Sequence, residues 1–146
     1  MGVVSYLQLE RTAGGMIGVN QAVIFDRVAS AGGDRIQYDA SIGEIAFDEA
    51  GYYYIDWFVA PQFGLTGDGS NFAIITSENE PALTGSSHVR VSPTIGFAVI
   101  EAAAPGKTVR LINTSDNSLT LSAFVEVKAA LAVYSVAGPD TFANEE

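Results

Sequence analysis

Side chains that bind transition metals or act as strong nucleophiles are scarce in this sequence. His88 is its only histidine, and it has no cysteine. Protein sites for zinc or iron are built mostly from several histidine and cysteine ligands, and disulfides and thiolate catalysis need cysteine. We therefore expect no metal and no cofactor. We expect His88 at the surface or at a subunit contact, where it can titrate near neutral pH.

Residues 106–108, Gly-Lys-Thr, match the end of a phosphate-binding loop. The first glycine of that motif would fall at position 101, where the sequence has Glu101, so the motif fails. The Pro-Gly pair before Lys107 instead predicts a turn that leads into a strand. The sequence also has no G-x-S-x-G elbow, the motif that presents a nucleophilic serine in one large class of hydrolases.

Carboxylates are available for acid–base chemistry, but their spacing selects no pair. Residues 68–71, Asp-Gly-Ser-Asn, could offer oxygens to a hard cation. They lack the spaced acids and the terminal glutamate of a calcium loop, so we predict a turn there. With no nucleophile–base pair and no metal cluster, we predict that the protein is not an enzyme. The scattered carboxylates are Asp26, Asp39, Asp48, Glu49 and Asp56.

The composition favours an assembly of subunits and argues against nucleic acid as a partner. Charged residues make up 16% of the chain, against about 25% in an average soluble domain. The chain is therefore short of the charge with which a monomer covers its surface. Its formal net charge of −10 repels phosphate backbones. No apolar run approaches the ~18 residues of a membrane span, and no signal peptide is recognisable at Met1.

The overall pattern predicts one all-β domain over residues 1–137. Short apolar segments alternate with turns marked by Gly, Pro, Asn and Asp, as in a β-sandwich or jelly roll. Residues 138–146 begin with Gly-Pro and end in two glutamates, so we expect a flexible tail. The predicted strands cover residues 3–9, 16–19, 22–25, 36–38, 44–47, 52–62, 71–76, 89–91, 94–101, 108–113, 119–121 and 127–136.

One predicted strand also has a helical alternative. Residues 126–136 contain three alanines, which favour a helix. The same segment contains three valines and Tyr134, which favour a strand. Its apolar residues occupy consecutive positions and form no helical stripe. We therefore predict a strand.

The most informative segment is the long aromatic strand that follows the turn at residues 50–51. Its alternate side chains form two sets, and both sets are mostly apolar. A strand that is apolar on both faces is covered on both faces. A domain of this size supplies one core, so we predict that another copy of the chain covers the second face. The two sets are Tyr53, Ile55, Trp57 and Val59, and Tyr52, Tyr54, Asp56, Phe58 and Ala60.

An ordered series of segments gives the chain a family resemblance. Together they resemble a C1q/TNF-like jelly-roll domain, and more specifically the C-terminal domain of BclA-type collagen-like glycoproteins of the bacterial exosporium, the outer spore surface. The chain departs from that pattern in having no collagen-like repeat, and in Lys107, where many such domains have aspartate. The segments are residues 18–26, 45–47 followed by 51–55, 72–75 followed by Pro81 and 85–86, 105–115, and 130–136.

This resemblance implies a sandwich of about ten strands that forms a homotrimer. It implies a non-enzymatic trimerisation and surface-display domain, which nucleates and registers a collagen-like stalk on a bacterial spore or cell surface. A trimer suits that role, because collagen chains can slip in register and a globular trimer holds three chain ends together. The implied location is extracellular, on the exosporium, and the implied partner is the chain itself.

The resemblance also divides the long strand between core and interface. It places the Tyr53 set inside the sandwich and turns the Tyr52 set toward the three-fold axis. The alternative is that the N-terminal strands of the same chain cover the second face. The candidate trimer contacts are Tyr52, Tyr54, Phe58, Phe97, Val99, Tyr134 and Val136.

Two other functions fit the same resemblance. C1q-like heads can bind ligands through loops at the apex of the trimer, and residues 64–70 and 79–88 are the candidate loops. A trimeric tip domain of a phage fibre would use the same architecture on a different particle. The sequence identifies no ligand for either function.

Overall fold

The computed structural model describes residues 4–62, 69–87 and 93–136, and these residues form twelve β-strands and no helix. No helix in these ranges could therefore cross a membrane. The expected tail at residues 138–146 and the predicted strand at 89–91 lie outside the described residues. The strands are β1 (Tyr6–Arg11), β2 (Met16–Ile17), β3 (Arg27–Gly32), β4 (Ile36–Asp39), β5 (Glu44–Phe47), β6 (Gly51–Val59), β7 (Ser70–Thr76), β8 (Leu83–Ser87), β9 (Thr94–Ala102), β10 (Lys107–Asn113), β11 (Leu119–Thr120) and β12 (Ala129–Val136).

Ten of the strands form two five-stranded antiparallel sheets, which pack face to face. The first sheet has the order β3-β1-β12-β6-β9, and the second has the order β4-β5-β10-β7-β8. The remaining two strands, β2 and β11, form a short separate ribbon. The prediction of an all-β sandwich of about ten strands is confirmed.

The long aromatic strand β6 lies inside the first sheet and faces the core with the predicted set of side chains. It is paired with β12 on one side and with β9 on the other. Tyr53, Ile55, Trp57 and Val59 are at most 3% exposed. The assignment of this set to the sandwich interior is confirmed.

A stacked aromatic pair joins the two sheets at one end of the core. The ring of Tyr53 on β6 lies 4.0 Å from the ring of Phe47 on β5, with an interplanar angle of 13°. The hydroxyl of Tyr53 donates a hydrogen bond of 2.7 Å to the backbone carbonyl of Glu49. The buried phenol therefore has a partner for its polar atom, which removes the penalty for an unpaired buried hydroxyl.

Trp57 fits in the core only because two neighbouring positions lack a side chain. Its cross-strand partner on β9 is Gly96. A Cβ atom added at Gly96 or at Gly85 would overlap the indole ring of Trp57. These glycines are therefore explained by close packing against the aromatic ring.

The predicted strand at residues 22–25 was wrong, although its apolar alternation is real. Val23 and Phe25 are buried, but the segment makes only one bridge, between Ala22 and Ile112. The hydroxyl of Tyr38 accepts a hydrogen bond from the backbone N–H of Phe25 and donates one to its carbonyl. A side chain thus satisfies backbone groups that a strand would pair in a ladder.

Two strands at sheet edges were missed. β3 pairs only with β1 and is exposed along nearly its whole length, so it has no apolar alternation to read. β8 lies within residues 79–88, which we expected to be a loop, and its sequence is Leu-Thr-Gly-Ser-Ser. By contrast, residues 129–136 form a strand, as predicted against the helical alternative.

Lys107 follows the predicted Pro-Gly turn, and its side chain makes contacts that the sequence did not indicate. It begins β10, and its side chain is 3% exposed. Its ammonium group donates to the carbonyl of Glu101 at 2.8 Å and lies 2.6 Å from a carboxylate oxygen of Glu80. The hydrogen bond from Lys107, together with one from Thr76, lowers the pKa of Glu80 below its ordinary value. Lys107 thus ties the turn before β10 to the connection between β7 and β8.

The packing of Trp57 makes Gly96→Ala a sharp test of the core. The added methyl must displace the indole, so we expect the free energy of unfolding to fall by about 1–3 kcal/mol. Urea unfolding followed by tryptophan fluorescence measures this directly, because Trp57 is the only tryptophan.

The matched control for this variant is Gly14→Ala. A Cβ atom at Gly14 meets only the Lys128 side chain, at 3.8 Å, an ordinary contact distance. Its stability should stay within about 0.5 kcal/mol of the parent, as for most surface changes. Equal stability of Gly96→Ala and Gly14→Ala would show that the indole of Trp57 does not pack closely against Gly96.

Candidate subunit interface

The side of the first sheet that faces away from the core carries a row of exposed apolar side chains on β9. Because side chains alternate along a strand, the residues between the core positions point outward. Ile95, Phe97 and Val99 are 68%, 68% and 59% exposed. Three consecutive outward positions on one strand are thus apolar and more than half uncovered, which is unusual for a surface strand.

The neighbouring strands β6 and β12 extend this surface, which we call the open face. All seven candidate contacts lie on it. Ile95, Ala130 and Ala132 also belong to it, although they were not predicted. They were missed because alanine carries little hydrophobic signal and because Ile95 was read only as part of a strand. The open face comprises Tyr52, Tyr54, Asp56, Phe58, Ile95, Phe97, Val99, Glu101, Ala130, Ala132, Tyr134 and Val136.

The strand register groups the aromatic residues of the open face. Tyr54 on β6 lies between Tyr134 on β12 and Val99 on β9. The rings of Tyr54 and Tyr134 are 5.4 Å apart and inclined at 33°. Their contact buries part of each ring, and yet Tyr134 is still 40% exposed.

The N-terminal strands do not cover the open face, contrary to the alternative considered from the sequence. β1 and β3 lie in the same sheet as β6, beyond β12. They therefore widen the sheet and leave its outward surface uncovered. Tyr6, on β1 and opposite Tyr134, adds another outward aromatic side chain that is 45% exposed.

A groove of about 580 Å³ runs across the open face, and its lining is mostly apolar. The small side chains of Ala130 and Ala132 lie among the lining residues. Phe58 and Ile95, which are paired across β6 and β9, line it as well. Small residues beside large ones give the face a recess next to the exposed row of β9.

The charged groups of the open face are two carboxylates, and each interacts with a tyrosine. A hydrogen bond to Glu101 and its negative charge raise the pKa of Tyr52. Partial desolvation and the neighbouring Asp56 raise the pKa of Tyr54. Both effects favour the neutral phenol. The open face contains no cation that could pair with a carboxylate of its own chain.

The described residues show no set of metal ligands. Nowhere in the ranges 4–62, 69–87 and 93–136 do three or more His, Asp or Glu side chains group so that they could hold a metal ion. His88 and Asp68 lie outside these ranges, as does most of the candidate loop at residues 64–70.

Three solved structures illustrate what the fold resembles. The globular domain of zebrafish complement 1qA is 12% identical, with a TM-score of 0.68 over 92% of this chain and 98% of that one. The Eiger TNF structure from S. frugiperda is 13% identical, with a TM-score of 0.60 over 93% of each chain. The vertex protein P5 of PRD1 is 14% identical, with a TM-score of 0.61 over 94% of this chain and all of that one.

The chain has the C1q/TNF-like jelly-roll fold. This confirms the fold part of the resemblance seen in the sequence. At these identities the likeness concerns the fold alone. No protein-family model matches the chain, and no curated protein does either.

The contact between Tyr52 and Glu101 predicts a pH effect on the open face. The pKa of Tyr52 in the folded chain lies above the ordinary tyrosine value of about 10. The contact therefore stabilises the fold below about pH 10, and this stabilisation is lost as the pH rises through the raised pKa of Tyr52. Glu101→Gln should return the pKa of Tyr52 toward its ordinary value. NMR titration of ¹³C-labelled tyrosine measures the change.

Glu126→Gln is the control for this titration, because Glu126 is exposed and pairs with Arg27 outside the open face. It should leave the pKa of Tyr52 unchanged. A Tyr52 titration that is the same in Glu101→Gln and in the parent would refute the assigned contact.

Proposed function

We propose that this chain is a non-enzymatic trimerisation and surface-display domain, and that the open face is the contact between its three copies. The observation that carries the proposal is the uncovered row of Ile95, Phe97 and Val99 on a sheet whose other side already forms the core. The C1q/TNF-like fold supports it, because the resemblance implies a homotrimer.

The energetics require more than the β9 row at the contact. Full burial of a large apolar side chain contributes about 1.5–3 kcal/mol, so three partly exposed residues contribute a few kcal/mol per subunit. Association costs about 4–15 kcal/mol in lost freedom of motion. The aromatic residues of β6 and β12 must therefore be buried too, which favours the whole open face as the contact surface.

The shape of the face suits a ring of copies. The exposed row of β9 projects from the open face, and the groove beside Ala130 and Ala132 is a recess next to it, with Ile95 at the boundary between them. A contact between two different surfaces is heterologous, and repeated heterologous contacts form a closed ring when the rotation between neighbouring copies divides a full turn. A ring of three would bury both surfaces on every copy.

The finer assignment rests on the sequence resemblance to BclA-type exosporium glycoproteins. We propose that the domain nucleates and registers a collagen-like stalk, and that it acts outside the cell, on a spore or cell surface. The physical support is that a trimer holds three attached chain ends close together. Their effective concentration is then about millimolar, as for chains joined by a short flexible linker.

A second candidate function has its own observation. The similarity to the vertex protein P5 of PRD1 supports a place at the tip or vertex of a particle, which the sequence had suggested as a phage fibre domain. A ligand-binding head of the C1q type is a further candidate. The particle-tip domain and the ligand-binding head would use the same trimer and the same open face. They differ from the leading proposal because neither requires the domain to nucleate a collagen-like stalk.

The trimer itself is tested by Val99→Asp, with Val125→Asp as the matched control. Val99 is 59% exposed and Val125 is 44% exposed, so neither change should disturb the core of the single chain. Light scattering behind size exclusion should give the mass of three chains for the parent and for Val125→Asp. It should give the mass of one folded chain for Val99→Asp, because three carboxylates cannot be buried unpaired at the contact.

A parent mass of one chain at all concentrations would overturn the trimer. A trimeric Val99→Asp would show that the contact lies elsewhere. Circular dichroism of each variant separates loss of assembly from loss of folding.

The role in stalk formation is tested by fusing ten Gly-Pro-Pro repeats before the domain. If the trimer sets the register, the fused repeats should melt at a higher temperature than the free peptide and should refold at a rate independent of protein concentration. In the same fusion carrying Val99→Asp, the repeats should melt at the temperature of the free peptide, and their refolding rate should depend on protein concentration. Equal melting of the fused and the free repeats would favour the particle-tip or ligand-binding function.

A further inference from the structure

A second cavity, of about 450 Å³, lies away from the open face. It adjoins the chain segment of residues 18–25, which runs alongside β10 through backbone hydrogen bonds from Asn20 to Asn113 and from Val23 to Leu111. None of its lining residues belongs to the open face. The lining that matters for its chemistry is Arg11, Met16, Asn20, Gln21, Ile42 and Arg110.

The lining of the cavity carries cationic side chains although the chain as a whole is strongly acidic. The cavity is lined by two arginines and by no carboxylate. The side chain of Arg110 makes no hydrogen bond or ion pair with any described residue, whereas the side chains of Arg27, Arg35 and Lys107 each pair with a glutamate. With a net charge of −10, an arginine left without an acidic partner is a group that can bind an anion from solution.

Glu44 is the acidic residue that strand register brings toward Arg110. It lies one position beyond the Val109–Ile45 pair of β10 and β5. The described structure contains no ion pair between them. The guanidinium of Arg110 therefore keeps its hydrogen-bond donors for another partner.

Arg11 is held rigidly in place. Its guanidinium donates to the backbone carbonyls of Ala13, Gly14 and Ile24 at 2.9, 3.0 and 3.2 Å. A guanidinium has five N–H donors, so these three bonds leave capacity for a ligand. The carboxylate of nearby Asp26 accepts hydrogen bonds from the N–H groups of residues 12 and 13, and it also interacts electrostatically with Arg11, so Arg110 is the cation of the lining that has no carboxylate partner among the described residues.

The amide side chains of the lining are set as donors too. Gln21 uses its side-chain oxygen to accept a hydrogen bond from Gly18 at 2.8 Å, which leaves its NH₂ group as the free end. Asn20 is held with φ of 63°, a left-handed conformation that asparagine tolerates better than most residues. The cavity thus combines two guanidinium groups with amide donors.

The rest of the lining is apolar and accessible. Met16 is 60% exposed and Ile42 is 45% exposed. Their side chains can cover the C–H surface of a sugar ring or a hydrocarbon ring. The volume lies within the range of roughly 300–1,000 Å³ that is usual for small-molecule sites.

We propose that this cavity binds a small organic acid, with its carboxylate on Arg110 and Arg11 and its ring or hydrocarbon body on Met16 and Ile42. Arginine suits this role because its planar guanidinium binds a carboxylate through two parallel hydrogen bonds. The ligand is a single small anion and not a polyanion, because the net negative charge of the chain repels extended negative charge.

The experiment is an NMR titration of the full chain with glucuronate, benzoate and inorganic phosphate at fixed ionic strength. We expect saturable binding of at least one of the two carboxylates, with shifts confined to the signals of the lining residues. Arg110→Gln should weaken that binding by about tenfold or more, as expected for loss of a charge-assisted contact. Methyl glucuronate ester, which lacks the charge, should not bind.

Arg35→Gln is the matched control, because it removes the same charge from an arginine outside the cavity. The affinity of Arg35→Gln for the carboxylate ligand should stay within about twofold of that of the parent, because an exposed charge is screened by salt. The proposal fails if neither carboxylate binds, if the neutral ester binds equally well, if phosphate alone binds, or if both variants weaken binding to the same extent. Repeating the titration with Val99→Asp separates this proposal from that of the trimer, because the cavity lies outside the open face.

Discussion

The structure depends on one constraint: β6 is apolar on both faces and occupies an inner position of its sheet. One face places Tyr53 against Phe47 and so joins the two sheets. The other face cannot be turned into the same core, because alternate side chains of a strand point in opposite directions. Nor can it be covered by neighbours in the sheet, since β12 and β9 lie beside β6 and not over it. The fold that satisfies the first face therefore leaves the second one open.

The distribution of charge follows from the same division. The open face has only two carboxylates, and each lies against a tyrosine and not against a cation. Most of the basic residues are used elsewhere to hold connections in place, as Lys107 does at the turn before β10. The other carboxylates of the described residues lie outside the open face, where their negative charge opposes non-specific association of a chain with this much apolar surface. Arg110 stands apart from this arrangement, which is why its cavity has a chemistry of its own.

The sequence predicted the parts of the fold in which burial imposes a pattern. Both sets of β6 could be read from alternation alone, and the valines of β12 were enough to reject a helix there. It could not predict β3 or β8, because edge strands in contact with solvent need no apolar pattern. The segment at residues 22–25 has the alternation of a strand, but the hydroxyl of Tyr38 bonds its backbone, a contact between distant residues. The cavity lined by Arg11 and Arg110 was missed for the same reason, because these two arginines are far apart in the sequence.

The placement of the two surfaces has a consequence for binding. The proposed self-association would use the outward side of the first sheet, whereas the arginine cavity adjoins β10 of the second sheet. Three copies joined through the first sheet would therefore leave three cavities accessible on the outside of the assembly. A single carboxylate in an open cavity binds weakly, but a surface that displays many such groups can engage several cavities at once, and linked sites can raise affinity by about 10²–10⁴. Assembly and recognition would then depend on each other through geometry, without any shared residue.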